Sequence, residues 1–295
     1  MTDAERPWTA LEVVRWTAAD LARRGVPSAR LDAEVLVAHA LGTSRVGLYV
    51  RHDAPLTEPE RAAVREAVRR RRAGEPAAHI TGEKEFWSIP LRVDRRVLVP
   101  RPETEVVVEE ALAALPEKGG AYRVADVGTG SGAIAVAVAS ERPASRVLAI
   151  DVSADAVAVA RDNVERRALA DRIEVLLSDG PEELARRGEE FDAVLANPPY
   201  VATGEIAGLA VEIREHEPRV AIDGGVDGLR EIRRLVPAAA QALRPGGTLI
   251  FEIGADQGGP ATEIAEAAGM FERVRMRNDY AGLARVVVAT RRSAP

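Results

Sequence analysis

The chain has 295 residues, 46% apolar, 29% charged and 4% aromatic, with a net charge of −6 and no cysteine. That balance fits about two globular domains and excludes disordered, collagen-like and coiled-coil chains; the missing cysteines exclude disulfides, thiolate metal sites and cysteine nucleophiles. The four histidines (His39, His52, His79, His216) are scattered with no HExxH-type pair, so no metal is expected, and the longest apolar run, residues 133–139, is far short of the ~20 residues that span a bilayer.

The first residues, MTDAERPW, are charged and polar without a signal-peptide core, so a soluble cytoplasmic protein, free of the membrane, is expected. Residues 9–73 read as a small helical bundle. Leu11, Val14, Ala18 and Leu21 keep the helical period, as do Leu31, Val35, Ala38 and Leu41. Breaks fall at residues 25–27, at Gly42 and at residues 53–55, and Thr57 with Glu60 has capping-box spacing. Arg69, Arg70, Arg71 and Arg72 form the one basic run. It reads first as a solvated helix end favoured by the macrodipole and second as a contact for an acidic or RNA-bearing partner. Residues 1–80 carry 13 Arg against 11 acids, and the remainder 27 basic against 35 acidic residues. Phosphate binding needs clustered cations, so direct nucleic-acid binding is not expected.

Residues 85–93 alternate like a strand pair and residues 97–99 follow, which predicts a β-hairpin linker over 76–102. A helix is expected from near Glu103 to Leu115. Strands are expected at 123–127, 146–151, 173–177, 192–197, 247–253, 271–276 and 283–289, alternating with helices as in a βαβ sheet. The first four are short apolar runs, as buried parallel strands should be. The last two are too close for a crossover helix, so they should pair antiparallel. The expected domains are 1–75, helical; 76–102, linker; and 103–295, α/β.

DVGTGSG at 126–132 follows the first of these strands and opens a helix. Its glycines permit a tight turn and let a ligand approach backbone amides and the helix N-terminus, which makes Gly128, Thr129, Gly130, Ser131 and Gly132 candidate cofactor contacts. The spacing is not the dinucleotide GxGxxG; there is no phosphate loop, and Ser131 lacks a hydrolase frame. Asp151 ends the next strand, where an acid can accept both ribose hydroxyls of a nucleoside; as a helix cap it is second to Ser153. Asp179, after the third strand, can accept from an adenine amino group or serve as a turn residue. NAD and S-adenosylmethionine (SAM) both fit this much.

NPPY at 197–200 separates them. The two prolines fix φ and remove two N–H donors, leaving a stiff turn that offers carbonyl acceptors. The Asn197 side-chain oxygen and the Pro198 carbonyl can each accept one hydrogen of a planar NH2 group, with Tyr200 flat against it. An amide nitrogen is a poor nucleophile because its lone pair is delocalised. Holding both hydrogens beside an in-line electrophile favours attack largely through positioning, and a sulfonium methyl is the matching electrophile.

The pair DVGTGSG and NPPY resembles class I SAM-dependent methyltransferases that modify planar exocyclic nitrogens. Two further stretches narrow the resemblance: EFWSIPL at 85–91 with VLVPRPETE at 97–105, and EPRVAIDGGVDGL at 217–229. Together they are similar to bacterial release factor glutamine methyltransferases of the HemK/PrmC family, over nearly the whole chain. The resemblance implies a Rossmann-like α/β fold with a seven-stranded sheet and a small N-terminal helical bundle. It implies SAM as methyl donor, S-adenosyl-L-homocysteine as product, and as acceptor the glutamine of the GGQ motif in class 1 peptide chain release factors. By the family pattern, residues 128–132, Asp151 and Asn197 touch SAM, and Asn197, Pro198, Pro199 and Tyr200 hold the glutamine; Asp179 and Gly180 are further candidate cofactor contacts. The RPETE segment would line the pocket, or merely open a helix with Glu103 or Thr104 as cap. The helical domain would help engage the release factor, and a monomer is expected. Gly180 departs from the bulky residue that many members carry, leaving a backbone contact to adenine, and NDYAGLAR at 278–285 departs from the usual run. The rivals are a ribosomal protein L3 glutamine methyltransferase, an adenine-N6 DNA methyltransferase and a binding module without catalysis; the intact Asn197 argues against the last.

Overall fold

The computed structural model describes residues 8–293, which divide into two compact units. One takes the chain up to Glu83 together with Ala210–His216. Its helices are α1 Ala10–Arg23, α2 Ala29–Ala40, α3 Arg45–Val50, α4 Glu58–Arg72 and α5 Ala77–Thr81, with a further turn at Val211–Arg214. Thr57 and Glu60 form the expected capping box, the Thr57 N–H and hydroxyl both donating to the Glu60 carboxylate at 2.8 Å. Thr9 and Glu12 form a second one. Val14, Val37, Leu48, Val64 and Val68 build the core.

The arginine run is paired within this unit. Arg69 bonds Glu66 and Arg70 bonds Glu75. Buried Arg71 donates to Asp32 at 2.7 Å and to Glu212 at 2.6 Å, which ties the Val211–Arg214 turn to α2 and α4. Arg72 donates to Asp20 and lies over the Trp16 ring. The unit therefore runs past residue 75, through a fifth helix where a linker was expected, and recruits a segment expected in the α/β part.

The second unit begins at Lys84 and holds the rest of the hairpin β1 Glu83–Phe86 and β2 Ile89–Arg92 and a seven-stranded sheet. Its turn residues Trp87 and Ser88 both have positive φ, 52° and 55°. The Trp87 N–H is held by Glu105 at 2.8 Å and its indole N–H by Glu141 at 3.0 Å. Residues 97–99 form no strand, because the Val99 N–H donates to the Glu217 carboxylate instead of a ladder. The sheet strands are β3 Arg123–Val127, β4 Arg146–Asp151, β5 Ile173–Leu177, β6 Phe191–Ala196, β7 Leu243–Glu252, β8 Phe271–Asn278 and β9 Ala284–Arg291, in the order β5-β4-β3-β6-β7-β9-β8. The helices are α6 Glu105–Ala114, α7 Ala133–Glu141, α8 Ala154–Arg166, α9 Gly180–Arg187, α10 Arg230–Ala242 and α11 Gly258–Ala267. Successive strand residues face opposite ways, yet both faces are covered. Val124, Val147, Ala193 and Ile250 pack with Val107 and Val136, while Ala125, Leu148, Val194 and Leu249 pack with Ile232 and Val236. Burial on both sides is why these strands read as apolar runs.

The parallel pairing of β3 to β7 and the antiparallel β8–β9 pair follow the sequence expectation. β7 starts four residues earlier than expected, and a register shift between Phe191 and Ala193 absorbs the extra length. Val127 pairs with Ile150 and Ala196, and Ala196 pairs with Phe251. The next residue on each strand is Gly128, Asp151, Asn197 and Glu252, so the register delivers these four to one carboxyl edge. Among the described residues no helix is long and apolar enough to cross a membrane.

Candidate active site

The chain leaves β3 through Gly128, Gly130 and Gly132, all at positive φ. Below this turn Asp126 is fully buried. Its Oδ2 accepts the Thr129 hydroxyl at 2.6 Å and the Ala135 N–H at 3.1 Å, and its Oδ1 has no partner among the described residues. Burial pushes this carboxyl up to about 7. Thr129 thus spends its hydroxyl inward and offers the cleft its backbone. Asp151 Oδ2 accepts the Gly130 N–H and Oδ1 the Ser153 N–H, each at 2.9 Å. Each carboxylate oxygen has a second lone pair, so ribose hydroxyls can still bind. Burial also raises Asp151, against the pull of those backbone donors. Ser153, not Asp151, caps α8.

The carboxyl edge opens into a cleft of about 340 Å³, within the range of small-ligand sites. Gly128, Thr129, Gly130, Ser131, Asp151, Asp179, Gly180, Asn197, Pro198 and Pro199 line it. Gly132 and Tyr200 do not: Gly132 is the N-cap of α7 against Ala160, and the Tyr200 hydroxyl donates to Glu252 at 3.3 Å. Tyr200 therefore buttresses the corner rather than lying along the cleft wall. Asp179 Oδ2 accepts from Arg234 at 2.6 Å, which leaves its other oxygen for a ligand. Gly180 has a reason of its own: a Cβ there would come within 2.5 Å of Val127 Cγ1.

The NPPY corner is fixed from behind. Cβ atoms at Gly224 and Gly228 would come within 2.6 Å of the Pro199 carbonyl oxygen and 2.2 Å of the Tyr200 carbonyl oxygen, so only glycine lets this backbone approach. The Gln257 amide donates to the Tyr200 carbonyl at 2.8 Å, and Val201 pairs with Asp223 as an isolated parallel bridge. The two other motifs meet as well. Arg101 donates to both oxygens of Glu217 at 2.7 Å, and the Val99 N–H adds a third bond to this buried carboxylate. This charge-assisted pair, with one Arg101 nitrogen shared between both carboxylate oxygens, ties the RPETE segment to the EPRVAIDGG stretch.

Thr104 stands at the N-cap of α6, but its side chain makes no capping bond. Its hydroxyl donates to Glu252 Oε2 at 2.6 Å and accepts from Asn197 Nδ2 at 3.1 Å. Asn197 Oδ1 has no protein donor among the described residues. Burial pushes Glu252 up to about 7, against the hydroxyls of Thr104 and Tyr200 and the charge of Arg285, and it drives the Tyr200 phenol higher too. Thr104 lines the cleft, as expected of the RPETE segment; sequence reasoning missed its link to Glu252 and Asn197, and missed Glu252, Gln257, Arg234 and the wall made by Arg96, Val97, Leu98 and Pro100. Glu252 had a signal: an acid closing an apolar strand at the same edge as Asp151.

A model described as PrmC N-terminal domain matches residues 12–82, and one described as Methyltransferase small domain matches residues 109–225. The chain is 41% identical to the release factor glutamine methyltransferase of Rhodopirellula baltica over 97% of both chains. It is 43% identical to that of Geobacter sulfurreducens over 92% of both. Among solved structures, the T. thermophilus 16S rRNA N2 G1207 methyltransferase in complex with AdoMet and guanosine has a TM-score of 0.51, covering 71% of this chain and 50% of that one at 20% identity; that likeness concerns the fold alone.

Proposed function

The chain belongs to the release factor glutamine methyltransferase family, and from that premise we propose that its carboxyl-edge cleft moves a methyl group from SAM to the side-chain amide nitrogen of the GGQ glutamine in class 1 release factors. The observation that carries the reading is the state of Asn197. Its NH2 is taken by Thr104, so an acceptor oxygen is left at the cleft, which an amide donor needs. The residues fit the donor. Gly130 carries no Cβ and one would meet nothing within 4 Å, so a ligand can lie on the backbone there, and Asp151 keeps spare lone pairs for its ribose.

When bound, SAM supplies an electrophilic methyl on a positively charged sulfur. The protein's part is to hold the acceptor. Asn197 Oδ1 accepts one amide hydrogen, and the Pro198 carbonyl, which takes no N–H from the described residues, accepts the other. With both hydrogens fixed, the nitrogen lone pair is turned toward the methyl, and the corner's rigidity removes the entropy of finding that pose. The surplus proton leaves after attack, because an N-protonated amide is strongly acidic, so no base need act first. The helical unit is proposed to dock the release factor.

The test is incubation of the full chain with labelled SAM and, separately, release factor, ribosomal protein L3 and DNA. Mass mapping should place the label on the GGQ glutamine. Label on L3 or on adenine instead would overturn the assignment.

A further inference from the structure

An asparagine side chain is nearly symmetric in shape, and turning it over exchanges its oxygen for its NH2. Only one orientation can accept from a substrate amide hydrogen; the other sets donor against donor. Something must choose. Asn197 reaches Thr104 Oγ1, which both accepts and donates. The Thr104 proton is committed to Glu252 Oε2 at 2.6 Å, so toward Asn197 it presents a lone pair, and only the NH2 end satisfies it.

Glu252 in turn is 1% exposed and has no ion pair among the described residues. The nearest cation on β9, Arg285, is bound to Asp279 at 3.1 Å. An ionised carboxylate only accepts, and here it receives two hydroxyls, from Thr104 and Tyr200. A buried charge without a partner cation is a costly way to build a core. It is a direct way to fix the sense of a hydrogen-bond chain.

We propose that Thr104 and Glu252 are positioning residues: a two-step relay from β7 through the RPETE segment sets which end of Asn197 faces the acceptor amide. Neither residue needs to touch the reacting atoms. The relay rests on the amide-methylation reading above, so its test has one readout that needs no acceptor.

In the full chain, Thr104→Val keeps the shape and removes the lone pair. Methylation of release factor should lose kcat by about tenfold or more, while the Kd for SAM stays within about twofold, which also certifies the fold. Thr104→Ser should recover most of the lost kcat. The acceptor-free readout uses 15N-asparagine labelling; the chain has three asparagines, Asn163, Asn197 and Asn278. The Thr104-bound Asn197 proton should exchange with solvent slowly in the wild type and in Thr104→Ser, and about tenfold faster in Thr104→Val. Unchanged kcat or unchanged exchange in Thr104→Val overturns the relay. If the wild type labels no release factor, the functional reading falls, and the exchange measurement still decides the relay.

Discussion

In the helical unit the buried acids Asp20, Asp32 and Glu34 each meet arginine: Arg72, Arg71 and Arg45, all at 2.7 Å. Asp20 is held below its usual range by the Arg72 hydrogen bond, and Glu34 by the Tyr49 hydroxyl and then Arg45. At the carboxyl edge of the sheet Asp126, Asp151 and Glu252 are just as buried, and among the described residues none has a cation. Hydroxyls and backbone N–H groups alone hold them, and burial raises all three. The lesson concerns what each carboxylate is for. In the helical unit an acid paired with arginine holds helices together. An acid left without one keeps acceptor capacity, and orients its donors, where a ligand must sit.

Damage at the edge should therefore appear in turnover and ligand affinity, and damage in the helical unit in stability. The largest effect should be Asn197→Ala, which removes the acceptor the edge is built around. Single-turnover kinetics should show a loss of about 10²–10³ in rate, with SAM affinity much less affected. Near-normal turnover would refute that role for Asn197. Next comes Arg71→Met, which strands Asp32 without its cation. Urea unfolding, with hydrogen exchange on α2 and α4, should show a loss of about 3 kcal/mol in the helical unit and no change in SAM affinity. Asp151→Ala should raise the Kd for SAM about thirtyfold by calorimetry, leaving kcat at saturating SAM nearly intact.

The smallest effect is on pH dependence. Glu252 faces the hydroxyls of Thr104 and Tyr200, the charge of Arg285 on β9 and that of Glu103 beside Thr104, and Arg101 faces Tyr200. Its ionised form keeps Thr104 accepting from Asn197. Its protonated form can donate to Thr104 and so release the Thr104 proton toward Asn197 Oδ1. Since burial lifts Glu252 to about 7, kcat should be full above that pH and fall about tenfold per unit below it. Glu252→Gln should lose this limb; a wild-type kcat flat from pH 6 to 8 would refute the link.

Much of this was legible in the chain. Short apolar runs ending in Val127, Ile150-Asp151 and Ala196-Asn197 mark buried parallel strands, and glycines and an acid at their ends mark a ligand edge. What escaped reading lies in side-chain pairs far apart in sequence. Thr104 meets Glu252 across 148 positions, and Arg101 meets Glu217 across 116. No periodicity encodes such pairs; only the closed sheet brings them together. The same applies to Ala210–His216, whose short polar turn gives no local sign that Arg71 will claim Glu212. Residues 97–99 look like a strand because they are a short apolar run behind an alternating pair, but the Val99 N–H already has an acceptor in Glu217.

The floor beneath Asp179 carries a consequence for how this lineage can drift. A side chain at position 180 would collide with Val127, and overfilling a packed interior displaces its neighbours. The two sites must therefore change in concert: descendants that acquire bulk at 180 should already have shed it at 127, and the reverse order of events should be rare.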